Sequence, residues 1–150
     1  MNKKQLISIA NDISKVNGTE KYFNFASNYL MGLKEKTSST KDFFHMLEVY
    51  SKKTNDPTIR RAFDVTGSNG NSIRTWIDSI LKNNNLKNLS IADLTYVMSC
   101  ASRFAKIYDM QHPKNSSYNN KSNHSDYSKY MNNTSSGFTN CIRIVSKNKK

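Results

Sequence analysis

Between Ile73 and Leu81 the apolar side chains keep one period. Ile73, Trp76, Ile77, Ile80 and Leu81 fall at i, i+3, i+4, i+7 and i+8, the spacing of one helix face. Nothing in the first 110 residues alternates convincingly with the period of two that a strand requires. A chain whose apolar stripes are all helical has to bury them helix against helix.

The same reading extends along the chain. Leu6, Ile9, Ile13 and Val16 form a first stripe, which Asn17-Gly18 ends. Thr19 is placed to cap a second helix carrying Tyr22, Ala26, Tyr29, Leu30 and Leu33. Ser39 and Asp42 make a capping signal ahead of Phe43, Leu47 and Tyr50. Asp56-Pro57 is a cap followed by proline at the first helical position, opening a short helix through Ile59 and Phe63 that Gly67 and "SNGN" stop. Ser90 and Asp93 repeat the capping signal before a long helix with Ile91, Leu94, Met98, Ala101, Ala105 and Tyr108 inside and Ser99, Arg103 and Lys106 outside. The expectation is an all-α bundle of about six short helices, residues 1–110, followed by a polar, basic C-terminal extension, residues 111–150.

Composition supports that division. The apolar fraction of 36% is low for a globular chain, and the shortfall lies in the extension. The net charge of +12 splits evenly: residues 1–110 carry 16 Lys or Arg against 10 Asp or Glu, and residues 111–150 carry 7 against 1. Positive charge of this size favours polyanion partners, although it also serves solubility. "KNSSYNNKSNHSDYSKYMNN", residues 114–133, holds Tyr118, Tyr127 and Tyr130 among Lys114, Lys121 and Lys129, with Arg143 and Lys147 beyond. Tyrosine stacks on exposed bases and lysine neutralises phosphate, so the mixture suits a single-strand-binding arm. The competing reading is a low-complexity segment with no partner. "CIRIV", residues 141–145, is the one short strand-like run.

Catalytic chemistry finds little support. There is no HExxH, P-loop or GxGxxG. His45 and Glu48 stand i, i+3 as in one half of a carboxylate-bridged metal site, but such sites need a second copy and further acids. Cys100 and Cys141 are the only cysteines; neither lies in a CxxC pair, and Cys100 reads as a small residue beside the core stripe. The reading is therefore non-enzymatic, with no cofactor and no metal. Residues 1–16 lack the apolar run of a signal peptide and no 18-residue apolar stretch occurs, so the expected place is the cytoplasm, away from membranes.

The binding candidates are cationic. Lys52, Lys53, Arg60 and Arg61 bracket the loop between the third and fourth helices; Arg74 and Lys82 lie on the polar side of the fifth, and Arg103 and Lys106 on the last. Brought together they would track phosphates, with arginine adding bidentate contacts. Kept apart, each belongs to its own hydrated face. Lys121, Tyr127, Lys129, Tyr130 and Arg143 are the candidates of the extension.

The last helix, "SIADLTYVMSCASRFAKIY", places Arg103-Phe104-Ala105 near its end, and in this it resembles the terminal helix of some small helical subunits of CRISPR interference complexes. The resemblance covers that helix. It implies a basic all-α subunit of a ribonucleoprotein that holds a nucleic-acid backbone without chemistry of its own and sits beside other protein subunits, with self-association along a filament. Arg60, Arg61, Arg74, Arg103 and Lys106 would then be the backbone contacts, although charge and helical phase alone select them. The expected partner is RNA or single-stranded DNA. The alternative is a phage or mobile-element inhibitor module that docks an acidic protein.

Overall fold

The start of each helix is written in local hydrogen bonds. In the computed structural model, which describes residues 1–35, 39–65 and 70–114, Asn2 Oδ1 accepts the Gln5 N–H at 2.9 Å and Gln5 Oε1 accepts the Asn2 N–H at 3.1 Å. This capping box opens α1 (Lys3–Ile13). Helix α2 (Glu20–Glu35) follows a tight turn. A second capping box, Ser39 with Asp42, opens α3 (Thr40–Ser51). Asp56 accepts the Thr58 N–H at 2.8 Å and Pro57 occupies the first position of α4 (Pro57–Ala62). Helix α5 (Asn71–Lys82) starts from Gly70 without a side-chain cap, whereas Asn83 caps α6 (Asn84–Lys87) and Ser90 caps α7 (Ile91–Gln111).

The described residues are thus all-helical, in seven helices. Several details depart from the sequence reading. Val16 is not part of the first stripe: α1 stops at Ile13, and Val16 is 53% exposed. Thr19 begins α2 through its backbone carbonyl, which accepts from Tyr22 and Phe23, while its hydroxyl turns back to the Val16 carbonyl. α4 ends at Ala62, before Gly67, because Asp64 adopts a left-handed φ of 52°. The Val65 N–H then reaches the Arg60 carbonyl and the Asp64 N–H reaches that of Arg61, a Schellman closure. Helix α6 is additional; its four residues are too few to show a period. Ser99 does not face outward: its hydroxyl meets that of Ser27 at 2.6 Å in the seam between α2 and α7.

α7 lies along α2 and α1, and α3 lies on α5. Along α7, Leu94, Val97, Met98, Ala101, Ser102 and Ala105 are buried, and the small residues let α2 approach closely. The aromatic rings join these two groups of helices. Phe63, the C-terminal cap of α4, is 1% exposed and touches Tyr22, Phe25, Tyr50 and Trp76 with ring centroids 4.2–6.2 Å apart. The far end of α7 is tied down as well. Asp109 Oδ1 accepts the Gly18 N–H at 2.8 Å, and the His112 carbonyl accepts from Asn17 Nδ2 at 2.9 Å. Gly18 has φ 78°, the left-handed backbone that glycine adopts without a Cβ penalty. The compact unit so formed runs from Met1 to Lys114. "CIRIV" falls outside the described residues.

Two substitutions test this packing. Phe63→Ala removes the ring shared by four aromatic neighbours, and urea unfolding should show a loss of about 3–5 kcal/mol. Gly70→Ala places a Cβ against the Thr54 carbonyl at the N-cap of α5; it should lower stability by about 1–3 kcal/mol.

Candidate nucleic-acid interface

Among the described residues the cationic candidates do not form one surface. Lys52 caps the C-terminus of α3, and Lys53 follows it; both are exposed. The Lys53 carbonyl accepts the Asp56 N–H at 2.9 Å, which sets the start of α4 beside the lysine pair. Arg60, half-buried, and Arg61, exposed, lie in the last turn of α4, about 7 Å of helix further on. Gly70 sits against Thr54, and its N–H reaches Asn55 Oδ1 at 3.4 Å, so the first turn of α5 with exposed Arg74 comes to the same end. The positions of Lys52, Lys53 and Arg74 are thereby placed about the α3–α4 loop, with Arg60 and Arg61 one helical turn further along α4.

The other three candidates in the described residues lie elsewhere. Lys82 is in the last turn of α5, about 12 Å along the axis from Arg74. Arg103 and Lys106 are exposed on α7, which packs on α1 and α2 rather than on α5. Lys121, Tyr127, Lys129, Tyr130 and Arg143 are outside the described residues.

Lys52, Lys53, Arg61 and Arg74 are all exposed at the α3–α4 end. Among the described residues the ion pairs are Lys15–Asp12 at 3.6 Å and His45–Glu48 at 3.8 Å. Lys52, Lys53, Arg61 and Arg74 belong to neither. Arg60 and Arg61 also have a structural role, since cations in a helix's last turn complement its dipole. Asp56, the acid closest in sequence to the lysines, is engaged in capping α4.

A second feature went unread in the sequence. An open cleft of about 550 Å³ lies between α2 and the end of α4, lined on α2 by Lys21, Asn24, Phe25, Asn28 and Tyr29 and at the end of α4 by Ala62, Phe63 and Asp64. The α2 residues stand at i, i+3, i+4, i+7 and i+8, a mixed polar and aromatic stripe beside the buried Tyr22, Phe23, Ala26 and Leu30. That periodicity was the available signal; scoring only apolar residues conceals it. Asn24 Oδ1 accepts from Ser102 Oγ at 2.7 Å, which fixes the amide, and Lys21 Nζ donates to the Asp64 carbonyl at 2.7 Å. Burial chiefly, then Tyr50 and Asp42, raises the pKa of the Tyr29 phenol above its ordinary value of 10.0. On α7 the Tyr96 phenol is raised too, principally by Cys100, with Arg103 opposing.

His45 and Glu48 meet across an exposed turn, beside a shallow depression between α3 and Leu81. Among the described residues no three His, Cys, Asp or Glu side chains are grouped to hold a metal, and no helix is long and apolar enough to cross a membrane. Cys100 is half-buried against the core.

The raised phenol carries a pH dependence with a definite sign. Folding holds the Tyr29 proton more tightly than the unfolded chain does, so its contribution is full below pH 10 and is lost as pH rises through the folded pKa. Melting curves between pH 9 and 11.5 should fall less steeply for Tyr29→Phe than for the wild type.

In comparisons with known proteins, no family model, no curated protein and no solved structure matches this chain.

Proposed function

We propose that the protein is a non-enzymatic nucleic-acid-associated helical protein, a small backbone-contacting subunit of a ribonucleoprotein such as a CRISPR effector complex. The observation that carries this reading is the placing of Lys52, Lys53 and Arg74 about the α3–α4 loop, with Arg61 one helical turn further along α4, all outside either ion pair of the described residues. Exposed cations held on helices joined by a short hydrogen-bonded turn suit the regular charge of a phosphodiester chain. The wider balance agrees: a helical body at +6 adjoins an extension of equal charge with interleaved tyrosines. Contacts of this kind position a strand and read little sequence.

Neutralising Lys53, Arg61 and Arg74 together to alanine should weaken single-stranded oligonucleotide binding alike across sequences. The slope of log K against log salt should become shallower by about 2, at about 0.7 per phosphate contact. Lys82→Ala, remote from the cluster, should have the smaller effect in the same anisotropy titration. Unchanged affinity in the triple variant would remove the cluster from the interface. Displacement by polyglutamate but not by oligonucleotide would instead identify an acidic protein as the partner.

A further inference from the structure

The cleft between α2 and α4 sets partly buried core aromatics beside exposed amides and charges, a polar complement that phosphate tracking does not require. Its aromatic side is Phe25 and Tyr29, one helical turn apart, with ring planes 24° from parallel and centroids 6.3 Å apart. Phe25 leans in turn on Phe63 at 4.2 Å, so this wall is braced by the core. Its polar side offers the Asn24 and Asn28 amides, the Lys21 ammonium and the Asp64 carboxylate. A flat heteroaromatic ring with donors and acceptors on its edge answers both sides: its face meets the rings and its edge meets the amides.

Asp64 supplies an independent indication. It is the one non-glycine residue with positive φ among the described residues, at the position where a Schellman closure favours glycine. An aspartate there is a poorer choice for the backbone than glycine, and strain of this sort is characteristically kept where the side chain has work to do. Asp64 is exposed and is one of the residues lining the cleft. Its carboxylate accepts hydrogen bonds only, so it favours the amino N–H of adenine or cytosine, or the N1–H and amino N–H of guanine. The single N3–H of uracil or thymine suits it less, because two flanking carbonyl oxygens would face the carboxylate. The Lys21 ammonium, bonded to the Asp64 carbonyl, tempers its repulsion of a nearby phosphate.

We infer that the α2–α4 cleft holds one unstacked nucleobase of the bound strand, with adenine, cytosine and guanine preferred over uracil and thymine. This deepens the proposed function and rests on it. The cationic cluster holds the backbone, and Arg60 and Arg61, on the helix that ends at the cleft, connect the two.

The test compares a single-stranded oligonucleotide with an abasic phosphodiester of equal length and charge, using the full chain at fixed salt. The base-bearing strand should bind about 10-fold tighter, with an oligo(C) advantage over oligo(U). Asn28→Ala, at an exposed helical site, should narrow that gap while leaving the abasic affinity unchanged. Asp64→Gly should raise the melting temperature by about 2–5 °C, because glycine suits the left-handed position, and yet abolish the oligo(C) advantage. A more stable variant that loses discrimination cannot owe the loss to damaged folding. Equal affinity of the wild type for both polymers overturns the base pocket and leaves the backbone reading standing. Binding of neither polymer overturns both.

Discussion

Phe63 is the contact on which the arrangement depends. One ring, buried at the last position before α4 turns away, meets Tyr22 and Phe25 from α2, Tyr50 from α3 and Trp76 from α5. α4 itself has only six residues, too few to persist without tertiary support. Its direction is set by this ring, by the Asp56 cap at one end and by the Schellman closure at the other. Whatever holds α4 also holds Arg60 and Arg61, and forms one wall of the cleft. Stability and the candidate interface therefore share a residue.

The second constraint is close approach. Gly70 lies against Thr54 with no room for a Cβ, and that contact brings Arg74 to the lysine pair. In the α2–α7 seam, Ala26, Ala101 and Ala105 keep the helices near, while Ser27 with Ser99 and Ser102 with Asn24 satisfy the hydroxyls inside it. Ser102 thus connects the rigid seam to the cleft, since the amide it holds is one of the cleft's polar groups. The outward face of α2 is preorganised from behind.

Much of the fold was legible because helices announce themselves locally. The Ile73–Ile80 stripe, the Ser39–Asp42 box, the Asp56-Pro57 start and the Ser90 cap all stand where the residues placed them. The failures share a cause in tertiary context. Ser99 is polar by type and lies in a seam because Ser27 on α2 offers it a partner. Val16 is apolar by type and is exposed because the turn to Thr19 intervenes. The site was legible as a set of cations, not as a place. Arg74 joins the lysines through a side-chain contact across fifteen residues, the Gly70 N–H to Asn55 Oδ1, and no local pattern reports such a contact. The cleft was hidden for a different reason: its stripe mixes amides and a lysine with aromatics, and an apolar period does not register it.

The claim at the centre of this account is that the protein holds nucleic acid through charge. The most direct measurement is the absorbance ratio at 260 and 280 nm of the full chain purified from its host at low salt, followed through nuclease treatment and a high-salt wash. The account predicts a ratio above that of the protein alone, which falls to the protein value after either step. A preparation that is clean at low salt, and that stays clean when single-stranded oligonucleotide is added back, would contradict it.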